Sequence, residues 1–123
     1  MDVIERYLAS LTAHDWDGLA SCVAGDVERV GPFGDTYRGR DAYVAFLRDL
    51  MPRLPGYTME VTRLLYAADG RSAVVELSET VEVDGSPLRT PEALVFDVDG
   101  DGRIARIVIY VQRLGDAVPG LAR

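Results

Sequence analysis

The second half of the chain contains four apolar or alternating segments separated by three tight-turn signals. The segments lie at about 57–67, 72–83, 86–98 and 103–113, and the turns carry Asp69-Gly70, Asp84-Gly85 and the glycines at 100 and 102. Asp-Gly pairs between strand-like segments are typical of two-residue β-hairpins. The pattern therefore predicts four consecutive strands joined as antiparallel hairpins.

Three helical segments precede these strands, and a short strand at about 27–31 lies between the second and the third. The first begins at Asp2, which can form a capping box with Glu5. The second begins at Asp15 or Asp17 and ends at Gly25, and the third runs from Gly39-Arg40-Asp41 to Pro52. Their apolar faces are expected to bury Ile4, Tyr7, Leu8 and Leu11, then Trp16, Leu19, Cys22 and Val23, then Tyr43, Phe46, Leu47, Leu50 and Met51. Helices followed by strands predict an α+β fold, and the length of 123 residues predicts a single domain, 1–123.

Charge and composition narrow the range of partners. A net charge of −7 and a pI near 4.6 oppose nucleic-acid binding. All 13 basic residues are Arg, which excludes Schiff-base chemistry on Lys, and a single cysteine excludes an intrachain disulfide. The N-terminal segment resembles neither a signal peptide nor a membrane-spanning helix. We therefore expect a cytoplasmic protein that contacts neither membrane nor nucleic acid.

Two features could suggest a metal site. Residues 97–104 have the acid, Gly and Ile spacing of the first eight positions of a calcium-binding EF-hand loop, but Val108 occupies the position that needs a bidentate Glu. We expect a solvated hairpin tip there, with weak calcium binding left open. His14 is the only histidine and lies between the first two helices, so we expect it to end a helix. The sequence predicts neither a metal nor a cofactor.

Two acidic residues fall on an apolar face of the predicted hairpin. In the second strand the alternation places Leu77, Glu79 and Val81 on the same face. A two-residue turn at Asp84-Gly85 pairs Leu77 with Glu92, so Glu92 shares that face. The two carboxyl groups should then lie about 5–8 Å apart. Burial and mutual repulsion should raise the pKa of at least one of them, which suits general acid–base catalysis.

A structural role for the two glutamates remains open at this point. A strand end can curl into water, and Arg29, Arg63 or Arg89 could neutralise either carboxylate in a structural ion pair. In the same way, Tyr7 on a helix could be a core residue with a satisfied hydroxyl.

The stretch from Asp26 to Leu50, with its Gly-Pro-Phe-Gly loop and a helix beginning GRDAYVAF, resembles the ketosteroid isomerase and SnoaL-like polyketide cyclase branch of the nuclear transport factor two-like superfamily. The resemblance extends over nearly the whole chain. It implies a cone-shaped domain in which three N-terminal helices pack on a curved, mostly antiparallel mixed sheet and enclose an apolar pocket. It also implies a homodimer, and the last two strands, apolar on both faces, independently require a partner for the outer face of the sheet.

The sequence departs from the isomerases at two of three catalytic positions. By the resemblance, Tyr7 matches their oxyanion-binding Tyr, Gly31 replaces the proton-shuttling Asp of the loop, and Leu94 replaces the protonated Asp. Isomerisation by their usual route is therefore not expected. The SnoaL-like cyclases and related epoxide hydrolases place acids and bases on strands, as Glu79 and Glu92 are placed here, but the Arg-x-Asp of the hydrolases is absent.

We therefore expect a cofactor-free isomerase, cyclase or hydrolase that acts on a small apolar polyketide-, terpenoid- or steroid-like molecule. The predicted catalytic residues are Glu79 as base or acid, Glu92 as its partner, and Tyr7 as hydrogen-bond donor to a carbonyl or epoxide oxygen. The expected substrate-binding residues are Phe33, Phe46, Leu77, Leu94 and Phe96. The alternative is a binding module of the same fold that carries its ligand unchanged.

Overall fold

The computed structural model describes residues 2–112, which form three α-helices, one short 3-10 helix and six strands. In chain order these are α1 Val3–Ala13, α2 Trp16–Cys22, β1 Val23–Val30, β2 Thr36–Arg38, α3 Arg40–Leu50, the 3-10 helix Met51–Arg53, β3 Thr58–Tyr66, β4 Ser72–Val83, β5 Ser86–Val98 and β6 Ile104–Val111. Residue 113, the expected end of the last strand, lies outside the described range. The α+β class is confirmed.

The strands form one mixed sheet in the order β2-β1-β6-β5-β4-β3. β1 and β6 are parallel, and every other neighbouring pair is antiparallel, as expected. The hairpin between β4 and β5 has the predicted register, with Val83 opposite Ser86. Its turn residues, Asp84 and Gly85, both have positive φ angles, 52° and 80°, as a type I′ turn requires.

The helices cover one face of this sheet, and the core lies between them. α1 begins as expected, because Oδ1 of Asp2 accepts a hydrogen bond of 2.9 Å from the backbone N–H of Glu5. The apolar face of α1, with Ile4, Leu8 and Leu11, is buried in the core. The inner face of the sheet is therefore covered by apolar side chains of the helices.

The second helix and the first strand have boundaries that differ from the expected ones. α2 ends at Cys22, and Val23 and Ala24 are buried at the start of β1. Val23 pairs with Ile104 of β6, so sheet hydrogen bonding and burial of a β-branched side chain prevail over continuation of the helix. Trp16 is only partly buried and packs against the core edge. The short strand β2 was not predicted, since three residues give almost no periodic signal.

The segment 97–104 spans the turn between β5 and β6, and residues 99–103 form the tip of this hairpin. The Asp99 carboxylate accepts hydrogen bonds from the backbone N–H groups of Asp101 and Arg103, at 2.9 and 3.1 Å. Within residues 2–112, no group of three or more His, Cys, Asp or Glu side chains is placed to hold a metal ion. His14 ends α1 in a left-handed conformation and stacks on Trp16. None of the described helices has the length and apolar character needed to cross a membrane.

Candidate active site

A cavity of about 130 Å³ lies between the helices and the inner face of the sheet. It is mostly apolar, but five side chains with titratable or charged groups and several ring systems reach its wall. Its lining consists of Tyr7 and Leu11 from α1, Arg29 from β1, Tyr43, Phe46, Leu47 and Leu50 from α3, Met51, Leu54, Met59 from β3, Glu79 from β4, Glu92 and Leu94 from β5, and Ile109 from β6. Polar groups enclosed by apolar walls are the usual composition of a small-molecule site.

Glu79 and Glu92 are two of these polar groups, and the sheet register explains why both face the cavity. Leu77 lies opposite Glu92, and Glu79 lies opposite Thr90. The side chains of Glu79 and Glu92 are therefore diagonal neighbours on one face of the sheet. Burial, followed by the interaction with the neighbouring Glu79, raises the pKa of Glu92 to about 9. At neutral pH Glu92 is therefore a protonated carboxylic acid, able to donate a hydrogen bond.

Tyr57 orients Glu79 from the other side. The Tyr57 hydroxyl donates a hydrogen bond to Oε2 of Glu79. Burial and the adjacent Glu79 raise the pKa of Tyr57, so this hydroxyl keeps its proton. Tyr57 thus fixes one oxygen of Glu79 and leaves the other available for a proton or a ligand. Tyr57 directly precedes β3 and was not among the site residues predicted from the sequence.

A pair of tyrosines from different helices forms the helical side of the polar cluster. The hydroxyl groups of Tyr7 and Tyr43 are hydrogen-bonded to each other, and both side chains are buried. Burial, and then the neighbouring Tyr43, raise the pKa of Tyr7 well above 10.0. Burial raises the pKa of Tyr43 to about 12. Both groups are therefore neutral hydroxyls, and because one donates its proton to the other, the pair has one O–H left to donate to a ligand oxygen.

Arg29 brings a positive charge to the cavity wall. Its Nη1 donates a 2.7 Å hydrogen bond to Oδ2 of Asp35, and the Arg29 Cζ lies 5.1 Å from the ring centroid of Phe46. Although burial opposes it, the hydrogen bond and charge of Arg29 hold the pKa of Asp35 below its usual 3.8. Asp35 reaches Arg29 because residue 31 has no side chain. A Cβ added at Gly31 would lie 2.6 Å from Cγ of Asp35.

Comparison with known proteins gives the family of this chain. Residues 4–107 match the model of the SnoaL-like domain. The chain belongs to the SnoaL-like family. No curated protein sequence matches it.

Solved structures with the same fold include three with informative names. A protein from Kribbella flavida, provisionally named a ketosteroid isomerase, has 26% identity and a TM-score of 0.77, covering 96% of this chain and 81% of its own. An LEH-like epoxide hydrolase from M. tuberculosis has 24% identity and a TM-score of 0.76, covering 89% and 80%. A hypothetical protein from Catenulispora acidiphila with a ketosteroid isomerase-like fold, in complex with trimethylamine, has 19% identity and a TM-score of 0.75, covering 88% and 83%.

In this SnoaL-like domain, the structure brings some of the expected site residues together and places others elsewhere. Tyr7, Glu79, Glu92, Phe46 and Leu94 all line the cavity. Phe33 does not, because it lies in the Gly-Pro-Phe-Gly loop with 70% of its surface exposed. Leu77 and Phe96 are buried core residues outside the lining, and the Phe96 ring packs edge-on against Tyr7.

The structure also distinguishes among the three arginines that were considered as ion-pair partners of Glu79 and Glu92. Arg63 pairs with Glu76 at 2.7 Å, and Arg89 lies 3.9 Å from Glu60, both at the exposed surface. Neither arginine pairs with Glu79 or Glu92 in the described residues. Arg29 is the arginine that lines the cavity of this SnoaL-like domain, and the period-two pattern of Val27 and Arg29 in β1, both buried, could have indicated this.

Proposed function

We propose that this domain catalyses a cofactor-free general acid–base reaction on a small apolar molecule held in the cavity. The observation that carries the proposal is the placement of Glu79 and Glu92 as diagonal neighbours in an apolar enclosure, where burial raises the pKa of Glu92 to about 9. A carboxylic acid beside a second carboxyl group is a common source of a paired acid and base. The reaction is an isomerisation, a cyclisation or a hydrolysis, the activities suggested by the family and by the names of the Kribbella and M. tuberculosis proteins.

The proposed roles follow from the hydrogen bonds. Glu79, held by Tyr57, acts as the base that removes a proton from the substrate or from water. Glu92 acts as the acid, because it carries a proton at neutral pH. The hydrogen-bonded pair of Tyr7 and Tyr43 donates its one free O–H to a carbonyl or epoxide oxygen. No step depends on a loop carboxylate at position 31, which the isomerases use.

The cavity volume sets the size of the substrate. An apolar cavity of about 150 Å³ holds one benzene molecule, so 130 Å³ corresponds to one small ring or a short branched chain. A small polyketide or a monoterpenoid fragment suits this volume better than a four-ring steroid. The Catenulispora protein, which binds trimethylamine, supports a small ligand in this fold.

The test uses two small-ring probes, cyclohexene oxide for hydrolysis and 3-cyclohexenone for isomerisation. We expect turnover of at least one of them, and a fall in kcat/KM of about 10²–10⁴-fold in Glu79→Gln. The exposed residue Glu60 provides the matched control Glu60→Gln, which should keep full activity. Equal rates in the parent and Glu79→Gln would contradict the role of Glu79.

The alternative function is binding without catalysis. The absence of an Asp at Gly31 and at Leu94 favours it, because the isomerase constellation is incomplete. It predicts that both probes bind unchanged and that no product forms on prolonged incubation. Binding without turnover across a broader set of small enones and epoxides would favour this alternative.

We further propose that two copies associate through the outer face of the sheet. A groove of about 490 Å³ lies on this face, and Tyr110, at 59% exposed, is one of its walls. Its lining also includes Thr62, Glu76, Ser78, Arg89, Pro91, Ala93 and Gln112. The helices cover the inner face of the sheet, so a second copy of the chain would bury the outer face.

A further inference from the structure

Arg29 has a hydrogen-bonding capacity that the protein does not use. The residue is only 9% exposed, and it lines the cavity. Its Nη1 is paired with Asp35, whereas its buried Nε has no hydrogen-bond partner within residues 2–112. A buried N–H group without an acceptor destabilises a folded protein. This unpaired donor is therefore a position where a ligand acceptor would stabilise the structure.

The guanidinium group is held in one orientation by aromatic rings. Its Cζ lies 5.1 Å from the centroid of the Phe46 ring and 5.9 Å from that of Tyr37, and these two rings stack on each other at 4.2 Å. Cation–π contacts of this kind restrict the rotation of the Arg side chain. An arginine fixed in this way offers its Nε edge as one side of the planar fork that binds carboxylates.

The ion pair with Asp35 leaves Arg29 able to bind an anionic group of a ligand. The Asp35 side chain is 47% exposed and does not line the cavity, so its attraction to Arg29 is screened by water. The protonated Glu92 adds a second donor on the cavity wall rather than a second negative charge. A ligand oxygen that enters the cavity therefore meets the charged donor Arg29 and the neutral donor Glu92, whereas Glu79, the proposed base on the same wall, is held by its hydrogen bond from Tyr57.

We propose that Arg29 binds a carboxylate group of the ligand, so the cavity takes a small organic acid with an apolar body of about one ring. The inference rests on the proposed function, because it names the ligand class of the same cavity. The apolar body would pack against Leu47, Leu50 and Met51, which belong to the helical wall. Arg29 is thus a specificity-determining residue for an acidic substrate.

Isothermal titration calorimetry tests this with three probes that share one ring: benzoate, benzyl alcohol and benzylamine. We expect benzoate to bind most tightly to the parent protein. Arg29→Met should weaken benzoate binding by about tenfold or more, the usual effect of losing a charge-assisted hydrogen bond, and should leave benzyl alcohol unchanged. Arg38→Met is the matched control, because Arg38 is exposed and its partner Glu28 keeps a second ion pair with Arg106.

A second variant tests the proposal without removing the guanidinium group. Asp35→Asn removes the competing negative charge, and we expect it to tighten benzoate binding by about threefold or more. Benzoate binding that is equal in the parent and Arg29→Met, weaker in Asp35→Asn, or weaker than benzylamine binding would overturn the proposal.

The outcomes separate this inference from the proposed function. Turnover of neutral ring probes by a protein that does not bind benzoate would refute the acid-binding role of Arg29 and leave the acid–base mechanism intact. Tight, Arg29-dependent benzoate binding in a protein that turns over no acidic or neutral probe would support the inference and refute catalysis.

Discussion

Glu92 should make the protein less stable as the pH rises, and Glu92→Gln should remove that effect. Its pKa is raised from 4.5 to about 9, first by burial and then by Glu79. Below about pH 4.5 Glu92 is protonated in the folded and unfolded states alike, so it adds no pH dependence. Between these pKa values the unfolded chain releases this proton and the folded chain keeps it. The free energy of unfolding therefore falls with rising pH and levels off above about 9.

The size of this effect follows from the pKa difference and the exposure of the side chain. Each pH unit within the window corresponds to at most about 1.4 kcal/mol, so the ceiling between pH 5 and pH 8 is about 4 kcal/mol. Glu92 is only partly buried, and screening by water reduces the expected loss to about 1–2 kcal/mol. Glu92→Gln cannot ionise, so it should gain stability relative to the parent by this amount over the same range.

Urea denaturation followed by circular dichroism at pH 5, 6, 7 and 8 measures the difference directly. The comparison of each variant with the parent cancels the contributions of other titrating groups. Glu60→Gln is the matched control, because Glu60 is exposed and does not line the cavity, and its curve should stay parallel to that of the parent. If the curves of Glu92→Gln and the parent are also parallel, Glu92 does not hold a proton at neutral pH and the proposed acid is lost.

Three further changes test other parts of the structure. Tyr43→Phe removes the hydroxyl that is hydrogen-bonded to Tyr7. We expect the free energy of unfolding, measured by urea denaturation, to fall by about 1–2 kcal/mol. An unchanged urea midpoint would contradict this expectation. Gly31→Ala places a methyl group against Asp35, so we expect the free energy of unfolding to fall by about 1 kcal/mol in the same assay. A gain in stability would show that the loop can move to accept the methyl group. Sedimentation should show a dimer for the parent at micromolar concentration and a monomer for Tyr110→Glu, and a monomeric parent would exclude the proposed interface.

The parts of this fold that follow from short-range rules could be predicted from the sequence. The hairpin turn at Asp84-Gly85 fixes the register of β4 and β5 through backbone geometry alone, and this register places Glu79 and Glu92 on one face. The start of α1 at Asp2 follows from a local hydrogen bond. In both cases the residues that determine the structure lie within a few positions of one another or within one hairpin.

The other site residues depend on contacts between distant segments. Tyr43 was expected to be buried, but its hydroxyl partner lies 36 positions away in another helix. Tyr57 and Glu79 are 22 positions apart, and no periodicity links them. Phe33 was expected in the cavity, yet a large apolar residue in a loop is often exposed, as this one is. Its backbone in the Gly-Pro-Phe-Gly turn, rather than its hydrophobicity, decides its position.

The loss of the loop carboxylate at Gly31 changes where charge lies in the cavity. In the isomerase pattern the loop supplies the base. Here residue 31 is glycine, and the Asp35 side chain lies against the position that a Cβ of residue 31 would take. Asp35 forms an ion pair with Arg29. In the proposed mechanism the base and the acid are instead Glu79 and Glu92 on adjacent strands, where the sheet register keeps their spacing constant. The positive charge of Arg29 lies on β1, in the wall of the cavity. A ligand with an anionic oxygen would thus be oriented by β1, and its reacting carbon would face the two carboxyl groups of β4 and β5.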